Sequence, residues 1–139
     1  MTETPEKRIA HINIYGMAQC GPHGSLLDGN PIDTIAISSR LLGFSALEAF
    51  AVKARGESMS PHIKQGDIVI AKRVTEYSDG DIVVCSNDGE ALIKQVVLKG
   101  GQIILNSFND DEEFRPFPAS KDDFKVEGVV KGVMSYAFK

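Results

Sequence analysis

Asp81-Ile82-Val83-Val84-Cys85-Ser86-Asn87-Asp88-Gly89-Glu90-Ala91-Leu92-Ile93-Lys94-Gln95-Val96-Val97-Leu98 holds two apolar runs on either side of Asn87-Asp88-Gly89. Short runs rich in Val and Ile suit strands, and Asp-Gly readily takes the positive φ angles of a tight hairpin turn. Two antiparallel neighbours are therefore expected. The same grammar extends outward in both directions. Upstream, Ile68-Val69-Ile70-Ala71 is separated from the pair by Ser78-Asp79-Gly80; downstream, Lys99-Gly100-Gly101 leads into Gln102 to Leu105, with Val126 to Lys131 and Val133 to Phe138 beyond. The pattern predicts a mostly-β domain of short antiparallel strands.

The first fifty residues are less regular. Ile9 to Tyr15 alternates apolar and polar residues, as a short strand does. Gly16-Met17-Ala18-Gln19-Cys20-Gly21-Pro22-His23-Gly24-Ser25 then carries three glycines and a proline, which predicts an exposed loop with small side chains. Asp28-Gly29-Asn30-Pro31 reads as a turn, Ile32 to Ser38 as extended, Ser38 to Leu47 as holding a short helix, and Ala49 to Ala54 as a strand. The expected organisation is a flexible arm over 1–8, a strand and loop over 9–25, and the main body over 26–139. No internal repeat or low-complexity tract is present, and no helix-turn-helix pattern precedes residue 40.

Composition narrows the functional classes. A chain of 139 residues with 42% hydrophobic content can bury one sizeable core. Its net charge is −4, and its 15 basic residues are scattered rather than gathered into a stripe, so direct DNA binding by this chain is not expected. No run approaches the roughly 18 apolar residues of a membrane span, and Met1-Thr2-Glu3-Thr4-Pro5-Glu6-Lys7-Arg8 is too polar for a signal peptide. Cys20 and Cys85 stand far apart with no CxxC and no His cluster, so neither a disulfide framework, a metal site nor a cofactor is signalled. A cytoplasmic setting is expected.

Gly56-Glu57-Ser58-Met59-Ser60-Pro61 places a serine at a corner between two strand signals. Ser58 or Ser60 caps a short helical turn there, with Pro61 in its first turn, or Ser58 is a nucleophile. The second reading needs a base. His11, His23 and His62 lack an acidic partner that would orient them as in a triad. Lys94 shares its strand face with Leu92 and Val96, and a lysine held among apolar groups loses the solvation of its charged form, which lowers its pKa toward the range of a useful base. The competing reading is a Lys94 that snorkels into water from an edge strand. Cys85, inside an apolar run, reads as core.

Taken together, five segments resemble the self-cleaving peptidase domain shared by LexA-type repressors, lambda-type phage repressors and UmuD-type mutagenesis proteins. They are Gly56-Glu57-Ser58-Met59, Gly66-Asp67-Ile68-Val69, Gly80-Asp81-Ile82-Val83-Val84, Ala91-Leu92-Ile93-Lys94-Gln95 and Val126-Glu127-Gly128-Val129-Val130, in that order. The resemblance runs from about Ile12 to the C-terminus. It implies a LexA-like, signal-peptidase-related β fold in which Ser58 is the nucleophile, Lys94 the general base, and the backbone amides of Glu57 and Ser58 the oxyanion donors. It also implies cleavage of the chain's own Cys20-Gly21 bond. Many relatives carry Asp where this chain has Glu57.

The same resemblance implies a homodimer and an activated RecA filament on single-stranded DNA as the stimulus for cleavage in the response to DNA damage. LexA-type and phage repressors bind DNA through an N-terminal domain that these 139 residues do not contain. The expectation is a regulatory and dimerisation domain of such a repressor, with two alternatives open: a UmuD-type accessory protein of a translesion polymerase, and a catalytically silent dimerisation module.

Overall fold

The computed structural model describes residues 8–17 and 25–135. Among these residues nine strands form one sheet: β1 (Ile9–Tyr15), β2 (Asp33–Ser38), β3 (Ala49–Lys53), β4 (Ile68–Lys72), β5 (Ile82–Asn87), β6 (Glu90–Lys99), β7 (Gln102–Asn106), β8 (Phe117–Pro118) and β9 (Phe124–Met134), in the spatial order β2-β1-β3-β4-β9-β5-β6-β7-β8. A one-turn helix, α1 (Ser39–Leu42), and a 3₁₀ turn at Ala46–Glu48 link β2 to β3. The pairs are antiparallel except β1 with β3, which run parallel, a departure from the all-antiparallel expectation. β1 and β3 can align this way because the intervening chain, 16–48, supplies the crossover that a parallel pair needs.

The tight turns fall where the sequence puts them. Asp88 (φ 51°) and Gly89 (φ 83°) close the β5–β6 hairpin, and Gly100 (φ 59°) and Gly101 (φ 79°) close β6–β7. Both turns need two successive positive φ angles, which Asp-Gly and Gly-Gly supply at least cost.

The central strands are buried on both faces, which explains why Ile68-Val69-Ile70-Ala71 is continuously apolar. Val69 and Ala71 face one cluster, with Phe50, Val52, Met59 and Ile93; Ile68 and Ile70 face another, with Ile12 and Ile14. A third cluster gathers Val83, Cys85, Val96, Val126 and Val129. Cys85 is fully buried there, as its apolar run implied.

β9 joins the two halves of the sheet by pairing with both β4 and β5, and it does so through two bulges. Val84 pairs with Gly128 but Cys85 with Val126, so Glu127 is the extra residue; Lys131 is the extra residue opposite Ile70 and Ala71. The register break puts Val126, Glu127 and Gly128 in succession into buried positions. Gly128 has no room for a side chain, because a Cβ there would stand 2.6 Å from both the Lys72 carbonyl oxygen and Phe50 Cε1.

Two expectations are corrected. The runs at 126–131 and from Val133 onward are one strand to Met134, and residues 136–138 lie outside the described residues. The short helix expected within Ser38–Leu47 is present as α1, which Gly43 (φ 79°) ends after one turn, with the 3₁₀ turn following. At the flanks of the expected exposed loop, Met17 and Ser25 are buried; Ala18 to Gly24, including Cys20, Gly21 and His23, lie outside the described residues, as does the arm up to Lys7.

Candidate active site

The segment between β3 and β4 is closed at its base by backbone bonds. Ala54 N–H donates to the Asp67 carbonyl at 2.8 Å and Gly66 N–H to the Ala54 carbonyl at 2.9 Å. The buried Asp67 carboxylate accepts the Lys64 N–H at 2.9 Å, and Gly56, at φ 82°, donates to Gln65 Oε1 at 3.0 Å. Within that frame Met59 and Ile63 point into the first cluster and hold the intervening turn down. Ser58 stands just before Met59 and is half-buried. No helix follows it. The backbone makes only the expected short turn, joined by Ser60 N–H to Glu57 O (3.0 Å) and Ile63 N–H to Met59 O (3.0 Å), and among the described residues no backbone N–H donates to the Ser58 hydroxyl to cap it.

Ser58 lines a hollow of about 50 Å³ with Met17, Ala54, Met59, Ala91 and Ile93. One wall is therefore β6, in the stretch that leads directly into Lys94. A larger groove of about 980 Å³ lies elsewhere, between residues 72–78 and β9, and includes neither Ser58 nor Lys94.

Lys94 is 6% exposed. It sits on β6, an interior strand between β5 and β7, so the reading of an edge lysine reaching for water is excluded. Its cross-strand neighbour on β5 is Val83, and Leu92 and Val96 flank it on the third cluster, as their spacing implied. Its Nζ donates to Ser107 Oγ at 2.7 Å and lies 5.8 Å from the centre of the Phe117 ring. Burial lowers the Lys94 pKa from the usual lysine value, partly opposed by the electrostatic influence of Cys85 and Glu90. The amine's hydrogen bond goes to Ser107, not to Ser58.

A short connection links the two elements. Asn109 N–H donates to the Ser58 carbonyl at 2.9 Å, and its side-chain Nδ2 donates to the Glu57 carbonyl at 2.9 Å. Between Ser107 and Asn109, the Phe108 ring lies against His62 with centroids 4.4 Å apart. Two residues span at most about 7 Å, so the groups that hold Lys94 and Ser58 belong to one neighbourhood. Ser107 and Asn109 were not singled out from sequence. The only available signal was polar residues directly after a strand, which is common in loops.

His62 is exposed and His11 projects from β1 into solvent. Among the described residues no three His, Cys, Asp or Glu side chains group as metal ligands, and no helix is long and apolar enough to cross a membrane.

A family model described as Peptidase S24-like matches residues 13–131, which include every segment of this site. The LexA repressor of Anaeromyxobacter sp. (strain Fw109-5) is 31% identical over 133 residues, covering 93% of this chain and 56% of that protein. The LexA repressor of Dechloromonas aromatica (strain RCB) is 34% identical over 122 residues, 80% of this chain and 58% of its own length. That of Pelagibacter ubique (strain HTCC1062) is 37% identical over 114 residues, 77% and 50% respectively. The chain thus spans about half the length of the curated relatives it matches.

Proposed function

The chain belongs to the Peptidase S24-like family, and from that premise we propose that it is the self-cleaving Ser/Lys peptidase domain of a LexA-type repressor, cutting its own Cys20-Gly21 bond. The observation that carries the reading is Met17. It is buried and lines the same hollow as Ser58. Cys20 is three residues further on, so the chain can take it no more than roughly 11 Å from Met17. This short tether from Met17 supports an approach of the Cys20-Gly21 bond to Ser58, and a small side chain such as that of Cys20 suits a hollow of about 50 Å³.

In the reaction, neutral Lys94 takes the proton of Ser58 Oγ as that oxygen bonds to the Cys20 carbonyl carbon. The amides of Glu57 and Ser58 hold the resulting oxyanion. The Ser58 N–H shares its peptide plane with the Glu57 carbonyl, which accepts from Ser60 N–H and Asn109 Nδ2, so these bonds orient that donor. The Lys94 ammonium then protonates the Gly21 nitrogen as the C–N bond breaks, leaving a Ser58 ester of Cys20. Water activated by Lys94 hydrolyses the ester, freeing the Cys20 carboxylate and restoring Ser58. Burial of Lys94 supports its part, because only the neutral amine can accept the proton.

The family resemblance supplies the proposed setting. A repressor inactivated by its own cleavage suits the response to DNA damage, with a RecA filament on single-stranded DNA as co-protease, a homodimeric chain and a cytoplasmic location. The test is incubation from pH 7 to about pH 10, with and without RecA filament, followed by intact mass. Wild type yields a piece ending at Cys20, while Ser58→Ala and Lys94→Ala do not. If wild type stays whole under every condition, or if the variants cut as wild type does, the reading fails.

A further inference from the structure

The register of β6 with β7 pairs Gln95 with Asn106. Carried one residue beyond the end of β7, that register sets Ser107 directly opposite Lys94 and on the same face, which accounts for the 2.7 Å bond between their side chains. Ser107 is 9% exposed, so this hydroxyl is a buried partner of the amine rather than a surface contact. Two residues later Asn109 grips the corner that carries Ser58 twice, through its own N–H to the Ser58 carbonyl and through Nδ2 to the Glu57 carbonyl. Phe108 keeps the connection against the turn by its ring contact with His62 and by packing on the first cluster.

We propose that Ser107-Phe108-Asn109 is a positioning bridge, in which Ser107 orients the Lys94 amine toward Ser58 while Asn109 fixes the peptide planes that follow Glu57 and Ser58, the first of which carries the Ser58 N–H. The proposal rests on the Ser58–Lys94 reading above. A neutral amine has two N–H groups and one lone pair. When Ser107 Oγ accepts one N–H, rotation about the terminal C–N bond is restrained and the lone pair is left for the Ser58 proton. A lysine stem has several rotatable bonds, and without that anchor the amine samples orientations that do not face Ser58. Neither Ser107 nor Asn109 exchanges a proton with substrate, so neither is a catalytic residue. Both act through the groups they hold.

The test compares self-cleavage rates of the full chain at the alkaline plateau for wild type, Ser107→Ala, Ser107→Thr and Asn109→Ala, with melting temperatures measured alongside. Ser107→Ala is expected to slow cleavage by about tenfold or more, the effect of one misplaced hydrogen bond in a reacting array. Ser107→Thr, which keeps the hydroxyl, returns the rate to within about threefold of wild type. Asn109→Ala, at a half-exposed position, slows cleavage by about tenfold with an unchanged melting temperature. A plateau rate for Ser107→Ala within twofold of wild type overturns the proposal. So does a slow Ser107→Ala that Ser107→Thr does not restore, because the loss is then one of packing. Ser58→Ala and Lys94→Ala, run in parallel, separate this failure from that of the peptidase reading: if they cut normally, the dyad itself is wrong, whatever Ser107 does.

Discussion

Lys94 Nζ donates to Ser107 Oγ at 2.7 Å where both side chains are nearly closed to water, so a lysine in the middle of a sheet has one hydroxyl in place of its hydration shell. A single neutral acceptor replaces little of the solvation an ammonium loses, which is why burial outweighs Cys85 and Glu90 and lowers the pKa.

That imbalance has a stability signature. In the unfolded chain Lys94 titrates near 10.4, and in the folded chain lower, so between the two values the unfolded state binds more protons and stability rises with pH. The rise amounts to about 1.4 kcal/mol for each unit by which burial lowers the pKa. Lys94→Met removes the linkage. Urea unfolding at a series of pH values should show the variant gaining most over wild type at neutral pH and the gap closing toward pH 10.5. A gap independent of pH would mean that Lys94 titrates normally.

Glu90 begins β6, is exposed, and pulls the Lys94 pKa upward. Glu90→Gln should move the midpoint of the cleavage rate to lower pH. The shift should be small and should shrink further in 0.5 M salt, where the Debye length falls to about 4 Å. Rate profiles at low and high salt measure it; an upward shift would contradict the assigned charge effect.

Met17 anchors the stretch that leads to Cys20. Trimming it to Ala removes part of the roughly 1.5–3 kcal/mol that burial of a Met side chain contributes, so cleavage in cis should slow by up to about 100-fold. Labelling of Ser58 by a small serine-reactive phosphonate should be little affected, since that reagent does not depend on the tether. Equal loss of both would place Met17 in the folding core rather than in docking of the loop.

Gly128→Ala and Gly132→Ala form a matched pair on β9. The first Cβ meets the Lys72 carbonyl oxygen at 2.6 Å, a backbone atom that cannot swing aside, whereas nothing lies within 4 Å of the second. Denaturant melts should show a loss of about 1–3 kcal/mol for Gly128→Ala and little change for Gly132→Ala. Equal effects would mean that β9 shifts to relieve the clash.

The site was only partly legible in the sequence. Ser58 and Lys94 could be singled out because a serine between Gly56 and Pro61, and a lysine between apolar neighbours, stand out locally. Whether Lys94 is buried could not be read from its strand, since the alternation Leu92, Lys94, Val96 is the same on an edge strand and an interior one. β7 and β8 decide it by covering β6 on that side. The turn after Ser58 is likewise held by tertiary contacts: Met59 and Ile63 are drawn into the core, and Asn109 takes the carbonyls of Glu57 and Ser58 from a distant part of the chain.

What the sequence by itself determined was the class of the fold and the positions of its hairpins. Positive φ at Asp88-Gly89 and Gly100-Gly101 and two-residue alternation are properties of the local chain. The union of residues 126–134 into one bulged strand, the parallel β1–β3 pair, and the meeting of Ser107 with Lys94 were decided by tertiary structure. Each depends on register between segments far apart in the chain, and register is set by which faces can be buried together.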